Sequence, residues 1–253
     1  LVTVPAPSLL RRSVAPARLT RMLGVWGAFM PLGTALALLL GPLVIHALGW
    51  RAWWLLTGAL ALAMLAWLQR AVPPDPRRAA AAPAHAPGAV PGAVPVAPGG
   101  TSPGPAQGWR QRLGTTLRAP GPWLGALVFA LYSAQWLAVV GFLPMLYQRL
   151  GWHGAWVALL TASVAGANIL GNIGAGRLLH RGLPPRNLLW AGFAAMALGA
   201  WLAFGRSSAG LPLLGYAGAL LFSAAGGLVP GTLFGLAPRL APDERSISTT
   251  VGW

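Results

Sequence analysis

The chain has 253 residues, 56% of them hydrophobic and only 8% charged; a soluble domain carries about 25% charged residues, so water is not the main solvent for this surface. The formal net charge is +15, but all 18 basic residues are Arg set in short clusters between long uncharged runs. Charge gathered on one solvated face would be needed for nucleic-acid binding, and that class is excluded. With no Cys, a disulfide framework, a thiolate nucleophile and a Cys-based metal site are excluded as well.

A membrane helix needs about 20 mostly apolar residues. In chain order, Leu1–Leu10 has the composition of the tail of a span, interrupted by Pro5 and Pro7. Full spans are predicted over Met22–Trp50 and Ala52–Gln69. Ala71–Pro122 follows, with half of the 24 Pro and the near-repeat Pro87-Gly88-Ala89-Val90-Pro91-Gly92-Ala93-Val94-Pro95. Such a stretch buries too little side chain to offset the ordering of its backbone, and it reads as a disordered linker in which His85 is simply solvated. Four more spans are predicted over Trp123–Gln148, Trp156–Gly176, Asn187–Gly205 and Leu211–Pro238, and Ser246–Trp253 has the character of the first turns of another. Both chain ends read as truncations inside spans.

Basic residues favour the cytoplasmic side of a membrane. With the N-terminal segment inside, 15 of the 18 Arg fall in inside loops, and only Arg51, Arg149 and Arg206 fall outside. The expected arrangement is a multi-pass bundle in a bacterial inner membrane, with the linker in the cytoplasm.

Within the first span Gly33, Ala37 and Gly41 share one helix face, a small-residue stripe suited to close helix packing or to a flexing face. Pro42 follows and predicts a kink. His46 lies near the outer end of this span, where a solvated or hydrogen-bonded imidazole is expected. The fourth span carries a second stripe of Ala167, Gly171 and Ala175. It ends in Gly171-Asn172-Ile173-Gly174-Ala175-Gly176-Arg177-Leu178-Leu179-His180-Arg181-Gly182 with Pro184-Pro185-Arg186. Glycines there permit close helix approach, and the Arg cluster fits lipid phosphates, helix C-termini or plain positive-inside anchoring.

These features make the chain similar to permeases of the major facilitator superfamily. Gly171, Gly174, Gly176, Arg177, Arg181 and Arg186 resemble the family's Gly-rich basic loop motif. Gly41-Pro42 with Gly49-Trp50-Arg51 resembles its fifth helix and the loop after it. The resemblance implies a partial two-bundle all-α fold. Residues 1–70 would hold the end of the fourth helix and helices five and six, 71–122 the cytoplasmic central loop, and 123–253 helices seven to ten with the start of the eleventh. Departures exist: His180 stands where the motif has an acidic residue, and Leu43 and Val44 follow the Gly-Pro pair in place of further glycines. Pro7-Ser8-Leu9-Leu10-Arg11-Arg12, Gln135-Trp136 and Phe142-Leu143-Pro144 are similar to the cyanate and nitroimidazole permease-like branch, which implies small polar or anionic solutes.

The resemblance also implies that the seventh and tenth helices line a central cavity. Its candidate lining is Tyr132, Gln135 and Trp136, then Asn168 and Asn172 four apart on the eighth helix, and Tyr216 and Ser223 on the tenth. Asn168 and Asn172 fit a bond to a neighbouring helix equally well. Gly226-Gly227 with Pro230 marks a flexing point. The only acids, Asp75, Asp243 and Glu244, lie in predicted inside loops. No set for acid–base, nucleophilic or metal chemistry is visible, so no cofactor, metal, nucleic acid or enzymatic activity is expected. The expected function is secondary transport of a small solute by alternating access, the chain by itself being an inactive fragment. The alternatives are a non-transporting membrane scaffold or sensor, and a decayed remnant of a transporter.

Overall fold

In the computed structural model the described residues are 10, 14–71, 109–205 and 211–242. Expectations for Arg11, Arg12, residues 72–108, Arg206, Asp243, Glu244, Arg245 and Ser246–Trp253 lie outside them, and with residues 72–108 go Asp75 and His85. The described residues form eight helices: α1 (Pro16–Gly27), α2 (Phe29–Ala71), α3 (Trp109–Arg118), α4 (Pro120–Arg149), α5 (Ala155–His180), α6 (Pro185–Phe204), α7 (Pro212–Gly226) and α8 (Leu228–Leu240). Among them there is no strand. α1, α4, α6 and α7 each open with Pro in the first helical turn. The missing N–H costs nothing there, and the fixed φ already suits a helix.

Five stretches are long and apolar enough to cross a membrane: Arg21–Ala71, Pro120–Arg149, Ala155–His180, Pro185–Phe204 and Pro212–Ala237. The protein is an all-α, multi-pass membrane protein. Six spans were expected, and the first stretch contains two of them. At 1.5 Å per residue it would be about 75 Å long if straight, far more than the roughly 30 Å apolar thickness of a bilayer. It is divided at Gly49, with φ 81° and ψ 164°, a backbone conformation open almost only to glycine. The division falls beside the expected boundary between the spans Met22–Trp50 and Ala52–Gln69, but the kink expected at Pro42 is absent. Proline removes one backbone bond, but its φ is helical, and Pro42 lies inside the regular helix. The last stretch is interrupted at Gly227, between α7 and α8.

The chain divides into two compact units, one of Leu1–Leu43 with Gln107–Trp253, the other of Val44–Ala106. In the second unit the helix is apolar all round, with Trp54, Leu55, Leu60, Leu62 and Trp67 exposed, as suits a lipid-facing span. Arg51 stacks over the Trp50 ring at 4.8 Å, and His46 is exposed. In the first unit α5 is the central helix, packed against α1, α4, α7 and α8, while α6 lies on α7 and α8.

The end of the expected linker is helical. Trp109–Arg118 forms α3, tied to α4 by a bond from Trp123 Nε1 to Leu117 O at 2.9 Å. Its residues are too polar for a span, and the Pro-Gly content that marked the linker stops short of it.

Where helices meet in lipid there is little hydrophobic drive between them, so small residues and close backbone contact hold them together. Gly171 of α5 faces Gly227 at the α7–α8 junction so tightly that a Cβ on Gly171 would overlap Ala224 O and stand 2.7 Å from Gly227 Cα. Gly231 meets Ala175 and Asn172 in the same seam, and Gly24 of α1 meets Gly176. The stripe expected on the first span is not the one used. Gly33, Ala37 and Pro42 are exposed, and only Gly41 is buried. A Cβ on Gly33 would touch nothing within 4 Å.

Candidate functional site

α4 turns one face inward: Tyr132, Trp136, Val140, Leu143 and Tyr147 are all buried. These positions repeat every three or four residues, one side of a 3.6-residue helix. On α5 the buried residues include Thr161, Val164, Ala165, Asn168, Gly171, Asn172 and Ala175. Tyr132, Trp136 and Asn168 sit near the midpoints of their helices, about 18–26 Å from either end at 1.5 Å per residue, and Asn172 lies one turn further along α5, about 12 Å from its C-terminal end.

A cavity of about 60 Å³ opens at this depth, lined by side chains of α4, α5 and α8 and by Gly27, Met30 and Pro31 at the α1–α2 junction. Its wall is largely apolar, with Phe129, Leu137, Pro230 and Phe234 beside the polar Tyr132, Ser133, Asn168 and Asn172. Phe129 stacks with Tyr132 and with Phe234 at ring distances of 6.2 and 5.9 Å.

Behind the wall lies a buried hydrogen-bond network. Trp136 Nε1 donates to Ser223 Oγ at 3.0 Å. Asn168 Nδ2 donates to Ser223 O at 2.8 Å, and Tyr132 Oη donates to Asn168 Oδ1 at 3.1 Å. Asn172 Nδ2 donates to Asn168 Oδ1 at 2.9 Å and to Asn168 O at 3.1 Å. The network locks α4, α5 and α7 together. Asn172 Oδ1 is buried without a partner; an unmet acceptor of this kind costs about 1–3 kcal/mol.

The structure brings together five of the seven predicted cavity residues. Tyr132, Trp136, Asn168 and Asn172 line the cavity, and Ser223 holds two of them from behind. The other two lie elsewhere. Gln135 is exposed. It points about 60° round the helix from Tyr132, on the flank opposite Ser133, where the cavity is not. Tyr216 belongs to a separate cluster, with its hydroxyl 2.7 Å from Ser163 Oγ and its ring edge-on to Tyr147. Ser133, a polar residue of the helix expected to line the cavity, lines it as well, whereas sequence reasoning missed Met30, Phe129 and Phe234. Phe129, Ser133 and Trp136 follow one another at helical spacing, a signal visible in the sequence, whereas Met30 and Phe234 come from helices whose docking no local pattern announces.

Residues of the expected loop motif divide into two groups. Gly171 and Gly176 are buried in helix seams, and Gly174 is half-buried, with Leu228 its nearest neighbour. Arg177, Arg181 and Arg186 are exposed at the tight connection between α5 and α6. There Gly182 takes φ 88°, and Leu183 N donates to Leu178 O at 3.1 Å, so two otherwise orphaned groups at the helix end are paired. Arg177 and His180 occupy the last turn of α5, where positive charge favours the helix dipole. Among the described residues there is no Asp or Glu to pair with these Arg. Nor is there a group of three or more potential metal ligands among them.

Apolar spans around a mid-depth cavity define an integral membrane protein. The sequence model of the Major Facilitator Superfamily matches residues 1–252. The chain belongs to that superfamily, a family of membrane transporters rather than enzymes, whose partners are the lipid bilayer and a small solute. No curated protein and no solved structure matches the chain significantly.

Proposed function

We propose that the cavity between α4, α5, α8 and the α1–α2 junction is the solute site of a secondary carrier that works by alternating access. One observation carries this reading: a network of buried polar side chains at mid-depth holds the wall of a cavity. A bundle needing only to be stable would fill that space with side chains, because packing is what holds helices together in lipid. The helix breaks at Gly49 and Gly227 are places where helices bend as the cavity opens to each side in turn.

The distribution of Arg supports a bacterial inner membrane with the α5–α6 connection on the cytoplasmic side, where Arg177, Arg181 and Arg186 meet lipid phosphates. On this reading, residues 1–70 and 123–253 are parts of the two bundles and 71–122 contains the loop between them. The similarity to the cyanate and nitroimidazole branch favours a small polar solute, and the lack of a basic side chain in the wall among the described residues argues against its anionic members.

The Cys-free chain is a ready background for testing this without knowing the solute. Ser133→Cys is treated with a membrane-impermeant maleimide in right-side-out and in inverted vesicles. The expected result is labelling from both sides. Gln135→Cys, facing lipid, is expected to label from neither, because a thiol in hydrocarbon stays protonated. Labelling of Ser133→Cys from one side only, or from neither, overturns alternating access at this cavity.

A further inference from the structure

The orientation of each amide in the network is forced, and the chain of forcing leaves the cavity lopsided. A backbone carbonyl can only accept, so the Asn168 nitrogen must face Ser223 O, 2.8 Å away. Asn168 Oδ1 then faces the other way and accepts from Tyr132 and Asn172. The Asn172 nitrogen must therefore point at Asn168, and Asn172 Oδ1 is left over, buried and unpartnered. It lies directly behind Gly27, where a methyl group would come within 2.8 Å of it. The indole N–H of Trp136, the other strong donor of the wall, is committed to Ser223 Oγ. Among the described residues no Arg, Lys or His lines the cavity.

We infer that the cavity selects small solutes that present N–H donors, neutral or cationic, and turns away anions, with Asn172 Oδ1 as the specificity-determining acceptor. This rests on the reading of the cavity as a solute site. An anion entering here gives up water for a largely aromatic wall, whose ring faces carry negative charge density, and among the described lining residues finds no cation to replace it. An N–H donor meets the opposite conditions. The faces of Phe129, Tyr132, Trp136 and Phe234 attract positive charge. A small displacement at the α1–α2 junction carries Gly27 off Asn172 Oδ1 and lets the donor reach it. The cavity volume of about 60 Å³ suits a molecule of roughly four heavy atoms, since one water needs about 10–15 Å³ on this measure.

Guanidinium, urea and nitrate are planar four-heavy-atom probes of nearly one shape; the first two carry N–H donors and the third carries none. The measurement is the rate at which Ser133→Cys is labelled by maleimide in the full chain in lipid vesicles, with increasing probe at constant ionic strength. Guanidinium and urea are expected to slow labelling at least tenfold at saturation, and nitrate to leave it within twofold. Asn172→Leu is expected to abolish the protection. Should that variant not fold, Gly27→Ala serves: its methyl would come within 2.8 Å of Asn172 Oδ1 and crowd that acceptor without removing any hydrogen-bonding group, and protection is expected to vanish there too. Protection by nitrate alone, or by none of the three, overturns the donor-selective class. Protection that survives in both Asn172→Leu and Gly27→Ala overturns the role of Asn172. Two-sided labelling of Ser133→Cys needs no ligand, so the solute-site reading stands or falls apart from these outcomes.

Discussion

Replacing Gly171 by Ala tests the packing that shapes the cavity. The new methyl would overlap Ala224 O and lie 2.7 Å from both Gly227 Cα and Leu228 N, where ordinary van der Waals contact begins near 3.5 Å. All three obstacles are backbone atoms, so no rotamer change relieves the clash, and α5 must move away from the α7–α8 junction by about 1 Å. Overpacking of this kind costs about 1–3 kcal/mol. The displacement also stretches the 2.8 Å bond from Asn168 to Ser223 O, since Asn168 lies one turn from Gly171, and weakening one buried bond adds about 1 kcal/mol. The expected loss is therefore about 2–4 kcal/mol. The assay is unfolding of the detergent-solubilised protein, followed by circular dichroism, with Gly33→Ala as the control. A Cβ at Gly33 meets nothing within 4 Å, so that variant should be neutral or gain up to about 1 kcal/mol of helix propensity. Equal unfolding midpoints for the two variants would refute the seam.

Gly49→Ala forces a side chain into φ 81°, ψ 164° and should cost about 1–3 kcal/mol in the same assay, whereas Gly58→Ala, with open space around it, should not. Trp136→Phe strips Ser223 Oγ of its donor and should lower stability by about 1 kcal/mol. Tyr132→Phe should cost less, because Asn168 Oδ1 keeps its bond from Asn172; a larger loss for Tyr132→Phe would contradict the network as drawn. Ser163→Ala removes the partner of the Tyr216 hydroxyl and should reduce stability by about 1 kcal/mol without changing the two-sided labelling of Ser133→Cys. Changed labelling would place Tyr216 in the transport path after all.

Much of the architecture was legible because lipid makes secondary structure a local problem. With no water to meet a bare backbone, an apolar run of about 20 residues must close its own hydrogen bonds as a helix. Met22–Trp50 and Trp156–Gly176 could therefore be recognised one at a time. The division at residue 49 was legible too, through the Gly49-Trp50-Arg51 sequence that ends the first predicted span, whereas the kink read at Pro42 did not appear, because its ring constrains φ without leaving the helix. Tyr132 and Trp136 announced a common face by their spacing.

What spacing does not state is which way a face turns. Gln135 is more polar than Trp136 and was the stronger candidate by composition, yet it lies on the outer flank. The side of α4 that turns inward is decided by what packs on it: Ala165, Met196, Phe222 and Val229, residues 29 to 93 positions further along the chain. Gly171 read both as the start of a loop motif and as part of a close-packing stripe, and only the docked α7–α8 junction shows which neighbour it meets and how little room it has. The sequence by itself determined that this is a helical membrane protein of a transporter family, since both follow from local composition and motif. Only the tertiary structure decided that Asn172 keeps an unused acceptor at the wall of a cavity. A hydrogen-bond inventory closes only when every partner is in place, and these partners come from helices distant in sequence.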